Sequence, residues 1–146
     1  MTVGAGGVYI EAVTSETTKD QVLEQVLAAA SAAGEKKATD VVILDVGDIL
    51  AIADYFVIAS GGNDRQVRAI VDEVEDTLKA GAGLAPLRIE GAAERKWVLM
   101  DYGDFWVHVF QQETRDFYDL ERLWSDAVRV PFDEGAQGSD GAASAG

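Results

Sequence analysis

The sequence predicts an α/β domain of the α+β kind, a mixed sheet with helices packed on it. Two amphipathic segments, at 18–34 and 63–81, carry helix end signals. Short β-branched runs lie between and after them, and Trp97–Phe110 has the pattern of a tight hairpin. The implied order is α-β-β-α-β-β-β-α, which a sheet layer packed against helices accommodates.

The first helix starts at a capping box, Thr18 with Gln21, in which each side chain can satisfy an orphan N–H of the first turn. Val22, Leu23, Val26, Leu27 and Ala30 then recur at helical spacing, and Gly34 is the expected stop. Val41-Val42-Ile43-Leu44 reads as a buried strand, followed by a turn around Gly47 and Asp48. Tyr55–Ser60 is apolar on both faces, as a central strand should be. Asn63 with Gln66 offers a second cap; Val67, Ile70, Val71, Val74 and Leu78 mark one helix face before Gly81. Pro86 precedes a short strand, Leu87-Arg88-Ile89, and a charged loop leads to the hairpin. A last helix is expected over 114–128, burying Phe117, Leu120, Leu123 and Trp124 and ending before Pro131. Residues 1–15 are expected to form a flexible N-terminal extension, 16–132 the folded domain, and 133–146 a disordered, low-complexity acidic tail.

A chain of 146 residues, 48% apolar, supports one domain with a real core. Twelve Lys and Arg against 26 Asp and Glu give a net charge of −14. Nucleic-acid binding draws on cations that neutralise phosphates, so direct RNA or DNA binding is not expected. Such acidity either serves solubility or suits a basic protein partner. There is no cysteine, hence no disulfide, thiol nucleophile or thiolate metal site. Met1–Ile10 lacks the basic region and apolar run of a signal peptide, and no stretch approaches the roughly 20 apolar residues of a spanning helix. The expected compartment is the cytoplasm, with no membrane partner.

The hairpin carries an anomaly. If Gly103-Asp104 is its whole turn, Tyr102 pairs with Phe105, Met100 with Val107 and Val98 with Val109, and these six share one apolar face. The opposite face holds Trp97, Leu99 and Asp101 against Phe110, His108 and Trp106. A solvated sheet face should be polar, and this one is largely aromatic and aliphatic. Either helices cover both faces, or part of the outer face is open and marks a protein interface with aromatic anchors. Three expected helices cannot easily cover both, which favours an interface at the Trp97 and Leu99 end, beside Asp101 and Asp104.

Catalytic patterns are sparse. His108 is the one histidine, without a second His or Cys, and reads as a packed, hydrogen-bonded residue. Ser60-Gly61-Gly62-Asn63 between strand and helix raises the question of a phosphate loop. It lacks the glycine and lysine spacing of such loops, so a structural turn is favoured. Asp45 with Asp48 and Asp101 with Asp104 straddle turns, where Asp is at home. No catalytic residues, cofactor or metal ligands are assigned.

Between Asp54 and Val130 the chain resembles the ribosomal silencing factor (RsfS/Iojap) family. The matching blocks are Asp54–Gly61, Arg65-Gln66-Val67 with Ala69-Ile70, Glu90-Gly91, Trp97, Asp101-Tyr102-Gly103-Asp104 and Val107-His108-Val109-Phe110. Arg115, Phe117-Tyr118, Leu120-Glu121 and Leu123-Trp124 complete the series. The resemblance implies a nucleotidyltransferase-like fold that is catalytically inert, since no Asp-x-Asp lies on an expected strand. It implies a non-enzymatic repressor of translation that binds a basic protein of the large ribosomal subunit (uL-fourteen) at the intersubunit face. There it would block subunit joining under nutrient limitation. Family members often form homodimers. Positions matching Trp97 and Leu99 are associated with the ribosomal contact, with Asp101, Asp104 and Glu90 expected at its rim. Two readings compete: a divergent nucleotide-binding enzyme using the Ser60–Asn63 turn, and a homodimer using the hairpin face on itself.

Overall fold

The computed structural model describes residues 18–132; the expected extension over 1–15 and tail over 133–146 lie outside the described residues. The elements are α1 (Lys19–Glu35), β1 (Thr39–Asp45), β2 (Tyr55–Gly61), α2 (Asp64–Ala82), β3 (Arg88–Glu90), β4 (Trp97–Asp101), β5 (Phe105–Gln111), α3 (Gln112–Tyr118), α4 (Leu120–Leu123) and β6 (Val128–Val130). The strands make one sheet in the order β3-β4-β5-β2-β1-β6. β2 and β5 run parallel and every other neighbouring pair is antiparallel, so the sheet is mixed. β2 lies inside the sheet with all seven residues buried, matching its two-sided apolar sequence.

Both long helices start where their caps say. The Thr18 hydroxyl accepts from the Gln21 amide (3.1 Å) while the Gln21 side chain accepts from the Thr18 amide (2.9 Å). The Asn63 side chain accepts from the Gln66 amide at 2.8 Å. α2 passes through Gly81, the expected stop, and ends at Gly83, which adopts a left-handed φ of 66°.

The sheet divides the core in two. On one face, Val22, Val26 and Ala30 of α1 and Val67, Ile70, Val74 and Leu78 of α2 pack on Ile43, Val57, Val98, Met100, Val107 and Val109. On the other, Val42, Leu44, Phe56, Ile58 and Phe110 are covered by Val46, Leu50 and Ala53 of the β1–β2 loop together with Leu120 and Trp124. Two long helices thus seal one face, and short elements cover part of the second. Each fully buried Ile, Leu, Val or Phe contributes roughly 1.5–3 kcal/mol, so both layers matter to stability.

The single last helix is corrected. Asp119 takes a left-handed φ of 49° and breaks the run into α3 and α4, and the chain then extends into β6, where Val130 pairs with Ile43. Leu120 is buried and Trp124 half-buried, but Phe117 and Leu123 are 80% and 71% exposed. The break rotates α4 out of phase with α3, so the apolar residues spaced as one stripe no longer share a face. The short strand after Pro86 also begins one residue later than expected, at Arg88, leaving Leu87 on the surface.

Candidate functional site

The hairpin folds in the expected register. Trp97 pairs with Phe110, Val98 with Val109, Leu99 with His108, Met100 with Val107 and Asp101 with Trp106. The Tyr102 amide donates to the Phe105 carbonyl at 3.0 Å, and Gly103 supplies the positive φ (89°) that the turn demands. Asp101 accepts from the Gly103 amide at 2.8 Å, and the Asp104 carbonyl accepts from the Asp54 amide at 2.8 Å. The tip is therefore tied to the start of β2.

On the outer face the cover is partial. Phe110 and His108 are buried, whereas Trp97, Leu99 and Trp106 are half-buried. Trp106 stacks on Phe56 with ring centroids 5.7 Å apart. Trp97 stacks on Phe110 (4.9 Å), touches the Tyr118 ring (5.0 Å) and donates its indole N–H to His108 Nδ1 at 3.1 Å. Leu99 lies between Glu90 and His108 in the ladder. Tyr102 falls on the inner face, stacked on Phe105.

The three acidic positions do not stand alike. Arg88 of β3 pairs with Asp101 (3.2 Å) and also with Glu90 (3.0 Å). Asp104 is exposed at the tip. Surface pairs of this kind contribute about 0–1 kcal/mol. Arg88 nevertheless offsets one of three charges; Glu90 is its neighbour within β3, whereas Asp101 reaches it only through β3–β4 pairing.

Beside Trp97 an open groove of about 560 Å³ is lined by Glu94, Lys96, Trp97, Glu113, Thr114, Phe117 and Tyr118. Phe117 and Tyr118 are surface aromatics next to Trp97, which the one-helix expectation assigned to the core or left out. The signal available for them was the Tyr118-Asp119 step, since Asp is among the few residues that tolerate the left-handed region.

The Ser60–Asn63 turn is occupied by the chain itself. The Gly62 amide donates to the Gln66 side chain (2.7 Å), the Gln66 amide to the Asn63 side chain and the Val67 amide to the Asn63 carbonyl (3.0 Å). The Ser60 hydroxyl accepts from Arg115 at 2.7 Å. Among the described residues no group of three or more His, Cys, Asp or Glu could hold a metal ion, and no helix is long and apolar enough to cross a membrane.

Residues 19–145 match the family model described as ribosomal silencing factor during starvation. The chain belongs to the ribosomal silencing factor family. It is 43% identical over 107 residues to the ribosomal silencing factor RsfS of Bacillus subtilis, covering 73% of this chain and 90% of that one. A Mus musculus relative named mitochondrial assembly of ribosomal large subunit protein 1 is 31% identical over 93 residues, covering 62% of this chain and 41% of that one. A crystal structure of a Chromobacterium violaceum protein superposes with a TM-score of 0.68 at 34% identity, over 75% of this chain and 90% of that one. The family is one of regulatory proteins, and the matched span takes in all ten elements.

In this member of the silencing factor family the hydrogen bond at Trp97 fixes the state of His108. Accepting at Nδ1 places the imidazole proton on Nε2, which is buried without a hydrogen-bond partner among the described residues. Burial pushes the pKa from the ordinary 6.5 down to about 3. Below pH 6.5 the unfolded chain then binds a proton that the folded chain excludes, so stability falls as pH drops through that window and is flat above it. Each pH unit in the window costs about 1.4 kcal/mol. Urea titrations should therefore give an unfolding free energy about 2 kcal/mol lower at pH 5 than at pH 7 from this residue. A His108→Phe variant should lose that slope.

Proposed function

We propose that this protein silences ribosomes by docking on the large subunit through the outer face of the β4–β5 hairpin. Trp97 and Leu99 form the centre of the contact, with Asp101, Asp104 and Glu90 at its rim. The partner is a basic ribosomal protein at the intersubunit face, uL-fourteen in the reading that the family resemblance implies. A protein bound there bars the small subunit and so represses translation under nutrient limitation, in the cytoplasm and without catalysis.

The observation that carries this reading is Trp97, a half-buried aromatic held in place by Phe110, Tyr118 and His108. A rigid aromatic loses little freedom on binding, which is what makes such residues interface anchors. Glu90, Asp101 and Asp104 against Arg88 leave two carboxylates in excess around it. With the net charge of −14 they favour encounter with a basic surface. The mouse relative's name, which refers to the large subunit, supports the choice of subunit.

Co-sedimentation with purified large subunits tests it. Trp97→Ala should weaken binding by about 2 kcal/mol or more, roughly 30-fold in Kd, and Leu99→Ala by less. Equal binding by wild type and Trp97→Ala refutes the anchor, and no binding by either refutes the function. The family resemblance also implies a homodimer when free. Sedimentation of Trp97→Ala against wild type separates self-association through the same face from ribosome docking.

A further inference from the structure

A half-exposed tryptophan ordinarily gives its N–H to water and keeps its ring mobile. Trp97 does neither. Its indole nitrogen lies 3.1 Å from His108 Nδ1, one ring face lies on Phe110, and Tyr118 touches it from α3. His108 sits on β5 diagonally across from Trp97, two residues before its partner Phe110, within reach of a long side chain. The imidazole cannot follow the indole if the indole swings. His108 is 3% exposed, its backbone is paired to Leu99 on one side and Ile58 on the other, and its ring meets Phe56 edge to face at 4.6 Å. Being neutral, it keeps the Nδ1 lone pair that accepts the bond.

We propose that His108 is a positioning residue for ribosome docking: it does not touch the partner, but holds the Trp97 indole in the one orientation that the partner receives. This rests on the Trp97 reading above. A buried acceptor of the right geometry selects one rotamer before binding, so the anchor arrives pre-ordered.

The test uses the full chain labelled with ¹⁵N at its three indoles, assigned by single Trp→Phe changes. His108→Phe keeps a ring in the core and removes the acceptor. His108→Asn places Oδ1 near the position of Nδ1 and keeps it. In His108→Phe the Trp97 indole N–H should exchange with water about 10-fold faster and affinity for purified large subunits should fall about 10-fold, the loss of one net hydrogen bond. The Trp106 and Trp124 signals should stay in place. His108→Asn should keep the protected signal and bind within about 3-fold of wild type. Adding His108→Phe to Trp97→Ala should weaken binding no further, because the two changes act through one group.

The proposal is overturned if His108→Phe or His108→Asn loses protection of the Trp97 N–H and still binds as wild type. It is equally overturned if His108→Phe weakens binding as much in the Trp97→Ala background as alone. Should His108→Phe fail to fold, His108→Asn decides by the same two readouts. Wild-type binding by Trp97→Ala would instead refute Trp97 as the anchor, a result distinct from either.

Discussion

Replacing Glu121 by alanine should destabilise the protein by about 3 kcal/mol, more than any other single carboxylate here. Arg115 is 4% exposed, and its guanidinium makes three hydrogen bonds to two residues. Its Nε donates to one Glu121 oxygen (3.1 Å), one terminal nitrogen to the other (2.8 Å) and the second terminal nitrogen to Ser60 Oγ (2.7 Å). Removing one member of a buried pair typically costs about 3–5 kcal/mol because the other charge stays behind without its partner. Glu121 retains a quarter of its side-chain exposure, so water screens the site and the lower end applies. Ser60→Ala should cost less, about 1–2 kcal/mol, by leaving one donor unmet. Urea unfolding midpoints at constant slope measure both. A loss below about 1 kcal/mol in Glu121→Ala would mean that Arg115 escapes to solvent and that the pair is not what pins α3 and α4 to the end of β2. The functional corollary concerns Tyr118, which α3 carries to Trp97: a loosened α3 should weaken ribosome binding even where the fold survives.

Gly91→Ala should be comparably severe, at about 3 kcal/mol or more. Gly91 adopts a φ of 82°, a region that L side chains rarely enter, and a methyl group there would run into the Trp97 carbonyl oxygen. Both strands at this corner are committed, since Glu90 pairs with Leu99 and the Gly91 carbonyl accepts from Arg95 at 2.9 Å. The clash falls on backbone, which cannot swing aside as a long side chain can. Thermal unfolding of Gly91→Ala beside Gly83→Ala, a glycine of similar φ with open space around it, separates the two contributions. Gly83→Ala should cost only the conformational part, roughly 1 kcal/mol. Equal losses would show that the approach to Trp97 is loose.

Much of the hairpin was legible because its information is local. A two-residue turn fixes register, and register fixes which side chains share a face, so the pairing from Trp97 to Tyr102 followed from spacing alone. The caps at Thr18 and Asn63 were legible for the same reason. The stretch after the hairpin was not. The apolar spacing of Phe117, Leu120, Leu123 and Trp124 is helical, and nothing in it says that Asp119 will adopt a left-handed conformation. The physical cause is distant: Arg115 must reach Ser60, 55 residues away, while Glu121 turns back onto its guanidinium. Arg88 is a similar case, since its pairing with Asp101 exists only once β3 lies beside β4. Val128-Arg129-Val130 did carry a local sign, β-branched residues around a charge before Pro131, outweighed by the apparent continuity of the helix.

The parallel pairing of β2 with β5 bears on how fast the molecule forms. Tyr55 must find Phe105 and Gly61 must find Gln111, so the middle of the sheet joins segments about fifty residues apart. By contrast β4 and β5 meet across two residues and can zip within microseconds. The hairpin that presents Trp97 is thus the fastest part of the sheet to assemble, while Phe56, which packs against His108, arrives only after a long loop closes. Until then the aromatic surface of the hairpin lacks its β2 backing. Folding should accordingly be slow for a domain of this size, with a transition state governed by the encounter of β2 and β5, and substitutions at Val57 or Val107 should slow refolding more than those at Val98.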